Sequence, residues 1–224
     1  MNILGIETST DILMIAATNN ISWTSHTSKL GLQHASHLAP HISRLTNEID
    51  LKMYEYDLIA VGIGPGSFTG IRIGISTAMG IARASSATVI GFSLIEAIAY
   101  SYRHFPGLLI PIIDARKKKF YSGFFRQGRQ INEFIDVNPD DLSKQIKEQT
   151  KFNEPVLLTG PAATDFANIV KNDEWLVNSH YLGEFPTILF EIALAKSKTK
   201  ETPITPLYLR KSEAEIGILP SHTD

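Results

Sequence analysis

The sequence predicts an α/β protein made of two similar halves, because one pattern of residues occurs in it twice. Each time, a short apolar strand ends in an acidic residue, a polar turn follows, and a second apolar strand runs back. The acidic residue is Glu7 in the first copy and Asp114 in the second. Segments with helical spacing follow both copies. We interpret this as a degenerate internal duplication of βββαβα-type halves, with one domain at 1–105 and another at 106–224.

The individual helices and strands are placed from their patterns and flanking residues. Leu38, Ile42, Leu45 and Ile49 share one helical face, and Pro40 is placed near the start of that helix. The expected strands cover 2–6, 12–17, 21–27, 57–63, 88–91, 108–113, 120–125 and 156–159. Helices are expected at 37–49, 71–84 and 164–171 and from positions 93, 139 and 186, with a loosely ordered tail from 213 onward. Two such halves facing a cleft resemble the actin/Hsp70/sugar-kinase-like (ASKHA) fold.

Composition excludes several classes of function. The 224 residues are 43% hydrophobic and 20% charged, with a formal net charge of -2. A protein that bound nucleic acid alone would carry a basic excess, so any contact with nucleic acid is expected to be shared with a partner. The chain contains no cysteine, which excludes thiol catalysis, disulfides and cysteine zinc sites. The N-terminal segment lacks the basic start of a signal peptide, and no apolar run reaches the roughly 18 residues of a membrane helix. We therefore expect a cytoplasmic protein without a membrane segment.

A glycine-rich loop between a strand and a helix is the most specific motif. It comprises Gly64, Pro65, Gly66, Ser67, Phe68, Thr69 and Gly70, with Arg72 in the following turn. Free N–H groups at a helix start can hold an anion, but such a loop can equally well only turn the chain. No Lys-Ser/Thr follows the last glycine and Ser67 lacks the flanking glycines of a nucleophile elbow, so neither generic catalytic motif is present.

The string GPGSFTGIRIG resembles the signature of the TsaB (YeaZ) family. Residues 3–10, 110–116 and 205–210 resemble three further family segments, although Glu7 stands where the family usually has Asp. The resemblance implies a non-catalytic relative of TsaD that binds and activates TsaD in a complex with the ATPase TsaE. TsaD then transfers the threonylcarbamoyl group to adenosine 37 of tRNAs that read ANN codons. The resemblance also implies that ATP is used by the complex, that tRNA is bound only within the complex, and that this chain has no catalytic residue.

Catalysis by this chain alone is not expected, because the phosphate-binding glycines of the superfamily are missing. The turns after Glu7 and Asp114 contain no glycine, and Gly160-Pro161 stands where an adenosine-binding Gly-Gly is expected. A side chain at each turn keeps the backbone away from a phosphate, although weak nucleotide binding stays open. A small-metabolite kinase or ATPase of the same superfamily is therefore the first alternative function.

A metal-dependent peptidase is the second, weaker alternative. His37 and His41 lie one helical turn apart, but no glutamate lies between them and no third ligand is evident. We predict no metal site, and we interpret these residues and His34 as polar flanks of an apolar helix face.

Two surfaces are candidates for binding a partner. Gly70, Gly74, Ala78 and Ala82 form a stripe of small residues that either packs within its own domain or permits close approach of another helix. With His37 and His41 on the preceding helix, the family resemblance favours a partner interface, with TsaD or in a homodimer. The basic run 116–119 is either a solvated turn or an auxiliary contact to tRNA or nucleotide in the complex.

Overall fold

The computed structural model of the chain describes residues 1–31, 33–180, 185–198 and 204–210. The first half of the chain contains a five-stranded sheet. The elements are β1 (Ile3–Glu7), β2 (Ile12–Thr18), β3 (Trp23–Lys29), α1 (His34–Glu48), β4 (Leu58–Gly62), α2 (Phe68–Ser85), β5 (Thr88–Phe92) and α3 (Leu94–Ser101). The strand order is β3-β2-β1-β4-β5. The first three strands form an antiparallel meander, and β4 and β5 extend it parallel to β1.

The second half repeats this topology. Its elements are β6 (Leu108–Asp114), β7 (Phe120–Ser122), β8 (Phe125–Arg126), β9 (Arg129–Gln130), β10 (Ile135–Val137), α4 (Pro139–Gln149), β11 (Val156–Thr159), α5 (Ala163–Val170), β12 (Leu176–Asn178) and α6 (Phe185–Ser197). The main path of the sheet is β10-β7-β6-β11-β12, with β8 and β9 beside it. Along each main path the first strand is central, with β2 and β3 or β7 and β10 on one side and β4 and β5 or β11 and β12 on the other. The predicted duplication is therefore confirmed.

The two sheets and their helices form five layers, because each strand directs alternate side chains to opposite faces. One apolar cluster lies between the first sheet and helices α1 and α2, and another lies between the second sheet and helices α4 and α5. The largest cluster fills the middle, where α3 and α6 pack between the two sheets. Helix α6 follows the second sheet in sequence but also packs on the first, where Leu189 covers the backbone of Gly5. Helix α6 therefore crosses the boundary at residue 105 that the sequence predicts.

The first helix differs from its prediction. It begins at His34, so Pro40 lies inside the helix and not near its start. Proline removes one backbone hydrogen bond from a helix interior. For this reason the sequence predicts a helix that starts closer to Pro40, at residue 37. The apolar face of Leu38, Ile42 and Leu45 is buried as predicted.

The return strand predicted at 120–125 is interrupted. Strand β7 ends at Ser122, and the backbone N–H of Phe124 donates to the side-chain oxygen of Asn132 (2.7 Å). This bond takes Phe124 out of the ladder, so β8 begins as a separate short strand. The tail predicted to be loosely ordered lies outside the described residues. None of the helices in the described part of the chain is long and apolar enough to cross a bilayer.

Candidate functional site

The glycine-rich loop (residues 64–70) leads from β4 into α2. Ser67 caps the helix: its backbone is extended, and its Oγ accepts a hydrogen bond from the N–H of Gly70 (3.3 Å). The helix therefore begins at Phe68, three residues earlier than the sequence analysis predicts. Of the predicted loop residues, Gly64, Pro65 and Gly70 are buried, Gly66, Ser67 and Phe68 are half-buried, and Thr69 and Arg72 are exposed.

The glycines of this loop make room for the first turn, which follows β1. A Cβ on Gly66 would lie 2.1 Å from the carbonyl oxygen of Ser9, and a Cβ on Gly70 would lie 2.1 Å from that of Thr8. One turn further along α2, a Cβ on Gly74 would lie 2.4 Å from Oγ1 of Thr8. Such distances are shorter than any van der Waals contact, so only glycine permits this packing.

Two hydrogen bonds hold the first turn on the loop. The N–H of Ser67 donates to the carbonyl oxygen of Ser9 (2.6 Å), and the hydroxyl of Thr8 donates to the carbonyl oxygen of Gly70 (2.8 Å). A loop donor that an anion could otherwise use is therefore occupied by the chain itself. Of the two roles that the sequence leaves open for the loop, the geometry favours packing over anion binding.

Glu7, the acid at the end of β1, is completely buried behind this turn. Its Oε1 accepts a hydrogen bond from the N–H of Ser9, and its Oε2 has no hydrogen-bond partner among the described residues. Oε2 lies over the backbone of Gly62, where a Cβ would collide with it. Burial disfavours the charged form and raises the pKa of Glu7 from 4.5 to about 7, against the opposing effect of the Ser9 hydrogen bonds.

A cleft of about 520 Å³ lies between the two halves. It is lined by the two turns, the start of α2 and the segment after β11, including Ser9, Thr10, Asp11, Lys29, Ser67, Asp114, Arg116, Pro161 and Asp165. Gly160 does not face a ligand, because a Cβ there would lie 2.7 Å from the carbonyl oxygen of Ile112 in β6. The glycine at the position expected to bind adenosine therefore serves packing, and the proline beside it forms part of the cleft wall.

The stripe of small residues on α2 faces inward. Gly70, Gly74 and Ala78 are buried against the first turn and the first sheet, so the prediction that a partner contacts them is wrong for these three residues. Helix α2 has glycine and alanine on this side because it lies close to its own sheet. Ala82 is half-buried at the far end of the stripe, and its place in an interface stays a prediction.

Another face of α2 is open to solvent and has a different composition. Met79 has 50% of its surface exposed, and the side chains of Arg72, Ser76 and Arg83 are exposed on the same side. Arg72 lies over the ring of Phe68, with its guanidinium carbon 3.8 Å from the ring centroid. Sequence analysis missed this face because its apolar content is low and the small-residue stripe beside it is more conspicuous.

Three histidines form a stack on the surface of β3 and α1, here called the histidine stack (His26, His37 and His41). The ring centroids of His26 and His41 are 3.8 Å apart, and those of His37 and His41 are 5.9 Å apart. Nη2 of Arg44 donates to Nδ1 of His26 (3.1 Å). The pKa values of His26 and His41 are lowered mainly by burial and, to a smaller extent, by the neighbouring cationic groups. No group of three or more histidine, aspartate or glutamate side chains in the described residues is arranged to bind a metal ion.

His34 differs from the other histidines and was misinterpreted in the sequence analysis. It is buried, and its Nε2 donates to the carbonyl oxygen of Thr10 in the first turn (2.6 Å). His34 thus braces the first turn from α1. An isolated histidine three residues before the predicted start of a helix gives no sequence signal for this role.

The basic run forms the tip of the β6–β7 hairpin and is exposed. Arg116, Lys117 and Lys118 all have positive φ angles, between 51° and 59°. The N–H of Arg116 donates to a carboxylate oxygen of Asp114 (2.7 Å), which closes the turn. Arg126 does not belong to this tip, because it lies at the opposite end of β6, where it forms a bidentate ion pair with Glu154.

Comparison with known proteins places the chain in a family. A family model described as TsaD: tRNA N6-adenosine threonylcarbamoyltransferase matches residues 26–181. The Bacillus subtilis (strain 168) protein named tRNA threonylcarbamoyladenosine biosynthesis protein TsaB is 29% identical over 228 residues, which cover 96% of each chain. The structure of YeaZ from Pseudomonas aeruginosa has a TM-score of 0.72 and 25% identity, over 93% of this chain and 99% of that one. The chain belongs to the TsaB (YeaZ) branch of the TsaD family.

A more distant structure bears on the fold alone. The ethanolamine utilization protein EutJ from Carboxydothermus hydrogenoformans is 10% identical with a TM-score of 0.53, over 86% of this chain and 90% of that one. Together with the duplicated topology and the likeness to YeaZ, this confirms the predicted ASKHA fold class. The glycines of the string GPGSFTGIRIG have a physical role: Gly66, Gly70 and Gly74 leave room for the first turn to pack on the start of α2.

Proposed function

We propose that this chain is a non-catalytic subunit that binds and activates TsaD in the threonylcarbamoylation of adenosine 37 in tRNAs that read ANN codons. Membership of the TsaB family supports this role, since its curated relatives are named for threonylcarbamoyladenosine biosynthesis. In this proposal TsaD transfers the threonylcarbamoyl group from its adenylate to N6 of the adenosine. TsaE joins the complex, tRNA is bound only within it, and ATP is consumed by the complex and not by this chain.

One observation carries the non-catalytic part of the proposal. The first turn lies directly on the glycine-rich loop, and the carbonyl oxygen of Ser9 accepts the hydrogen bond of Ser67. A nucleotide phosphate at this corner would find the N–H of Ser67 already donated to the chain itself and therefore unavailable as a donor. The second turn offers no glycine for close approach either. A small-metabolite kinase or ATPase thus fits the cleft poorly, and turnover of ATP by the purified chain would restore that alternative.

The docking face is proposed to lie on the exposed sides of α1 and α2, which are neighbours on the outer face of the first sheet. It comprises Arg72, Ser76, Met79, Ala82 and Arg83 on α2, together with His37 and His41 on α1. A methionine surrounded by arginines suits an interface, since methionine and arginine are enriched where proteins associate. The same face would serve TsaD or, in its absence, a second copy of this chain.

A reconstitution tests the function. TsaD, TsaE and the adenylate-forming enzyme are combined with ATP, threonine, bicarbonate and unmodified tRNA, with and without this chain. Threonylcarbamoyladenosine is then measured by mass spectrometry of the digested tRNA. We expect product only when the chain is present. Equal product without it would refute the role of an essential subunit.

A pair of variants tests the docking face. Met79→Arg places a charge at its centre and should abolish association with TsaD, while Ile169→Arg makes the same change at a similarly exposed residue of α5. Ala78→Arg is unsuitable because Ala78 is fully buried and the change would unfold the domain. If Met79→Arg associates as tightly as Ile169→Arg, the docking face lies elsewhere.

A further inference from the structure

The segment 204–210, here called the C-terminal strap, passes from the first half of the molecule to the second. It forms neither helix nor strand, yet it contacts both halves beside the cleft. Its residues belong by sequence to the second half, after α6. Each of its ends contacts a different half.

The strap is first attached to the exit of β4. The N–H of Leu207 donates to the carbonyl oxygen of Ile63 (2.7 Å). The carbonyl oxygen of Leu207 lies where a Cβ of Gly64 would be 2.9 Å away, so the positive φ of this glycine and its lack of a side chain both serve the contact. Ile204 packs on the apolar cluster of the first half and approaches Gly91.

Next, an aromatic stack joins the strap to the start of α2. The ring of Tyr208 stacks on Phe68, with 4.7 Å between the centroids. Arg72 lies against the same phenyl ring and donates from Nε to the hydroxyl of Tyr208 (3.3 Å). Stacked aromatic rings and an arginine on an aromatic face add stability beyond the burial of area.

The end of the strap is attached to the second half. Arg210 donates from Nε and Nη2 to the two carboxylate oxygens of Asp136 in β10, at 2.7 and 2.8 Å. Its Nη1 donates to the carbonyl oxygen of Ala115 in the β6–β7 turn (3.2 Å). The two side chains of the pair are only 23% and 12% exposed. Bidentate, partly buried pairs of this kind are strong and fix the direction of both groups.

We propose that the C-terminal strap holds the two halves at one separation across the cleft. The central layer of α3 and α6 joins the halves by packing between the two sheets, and the strap joins them a second time, between the start of α2 and strand β10. Two separate attachments between the halves restrict their freedom to open and close. The opening of the cleft is then set by the chain itself and does not respond to a nucleotide. This inference concerns the chain alone and does not depend on the proposed partner.

The absence of cysteine from the chain permits a direct test by electron spin resonance. Ser43→Cys on α1 and Lys147→Cys on α4 place one spin label on the outer helix layer of each half, at exposed positions. We expect a narrow distance distribution that adding magnesium and ATP leaves unchanged. Arg210→Gln should broaden or shift this distribution by more than its original width, and Asp136→Asn, which removes only the charge, should change it in the same direction.

A matched control separates the strap from a general loss of stability. Arg126 and Glu154 form an equally bidentate pair with side chains 21% and 11% exposed, but both residues belong to the second half. Arg126→Gln should leave the distance distribution as in the unsubstituted chain. The inference is overturned if Arg210→Gln and Asp136→Asn behave like Arg126→Gln, or if ATP shifts the distribution of the unsubstituted chain.

Discussion

The buried carboxyl group of Glu7 should make the stability of this protein depend strongly on pH. It is fully buried, and only one of its oxygens accepts a backbone hydrogen bond among the described residues. Burial raises its pKa from 4.5 to about 7, so the folded chain binds this proton more tightly than the unfolded chain. The stabilising effect is complete below pH 4.5 and is lost as the pH rises through about 7.

The size of the effect follows from the two pKa values. A tenfold change in a protonation equilibrium corresponds to about 1.4 kcal/mol. Moving the pKa from 4.5 to about 7 therefore costs the ionised folded state about 3 kcal/mol. Glu7→Gln removes the charge and keeps the shape and the acceptor for the N–H of Ser9. We expect it to raise the free energy of unfolding by up to about 3 kcal/mol near pH 9 and to have little effect near pH 5.

Urea unfolding followed by circular dichroism at several pH values measures this difference. Glu174→Gln removes the same formal charge at an exposed position and controls for the change in net charge. The reasoning is refuted if Glu7→Gln changes the free energy of unfolding by the same amount at every pH. In that case the carboxylate would be stabilised in the folded protein by a cationic group or by water.

Three further predictions follow from the contacts of α1 and α2. Gly70→Ala should destabilise the protein by about 1–3 kcal/mol, because the added Cβ meets the backbone of the first turn. Gly80→Ala in the same helix places its Cβ in open space and should stabilise the protein by up to about 1 kcal/mol. Thermal unfolding of the two variants measures this difference. Met79→Arg should weaken association with TsaD more than about tenfold in calorimetric titration, and Ile169→Arg should not. Acidification should destabilise the protein through His26 and His41, because their pKa values are lowered in the folded chain and the unfolded chain therefore binds more protons. His41→Gln should reduce the loss of stability between about pH 7 and about pH 5.

The duplicated fold was predictable because each half repeats a signal that local chemistry produces. An apolar strand that ends in an acid and a glycine-free polar turn is visible at both Glu7 and Asp114, and the apolar face of α1 is visible from its spacing. Strands of two or three residues, such as β8, β9 and β12, are too short to show alternation. Their existence depends on the neighbouring strand, which a local pattern does not contain.

The candidate site was predictable in position but not in the direction of its side chains. The sequence located the glycine-rich loop, yet it left open whether the glycines serve a ligand or the chain. That question is decided by Thr8 and Ser9, more than fifty residues away in sequence, whose carbonyl oxygens lie on Gly66 and Gly70. The inward direction of the small-residue stripe has the same cause. A contact between distant segments leaves no periodic trace in either of them.

The first turn, the glycine-rich loop and the C-terminal strap converge on the start of α2. The carbonyl oxygen of Ser9 lies on one side of it, Tyr208 stacks on Phe68 at the other, and His34 braces the turn from behind. In the proposed function this helix bears the docking face, and a face that is already ordered loses less entropy on binding than one that must be ordered by the partner. In this proposal, the contacts that would exclude a nucleotide phosphate from this corner are the same ones that order α2 for a protein partner. A single set of packing constraints thus accounts for both the proposed lack of catalysis and the proposed gain of association.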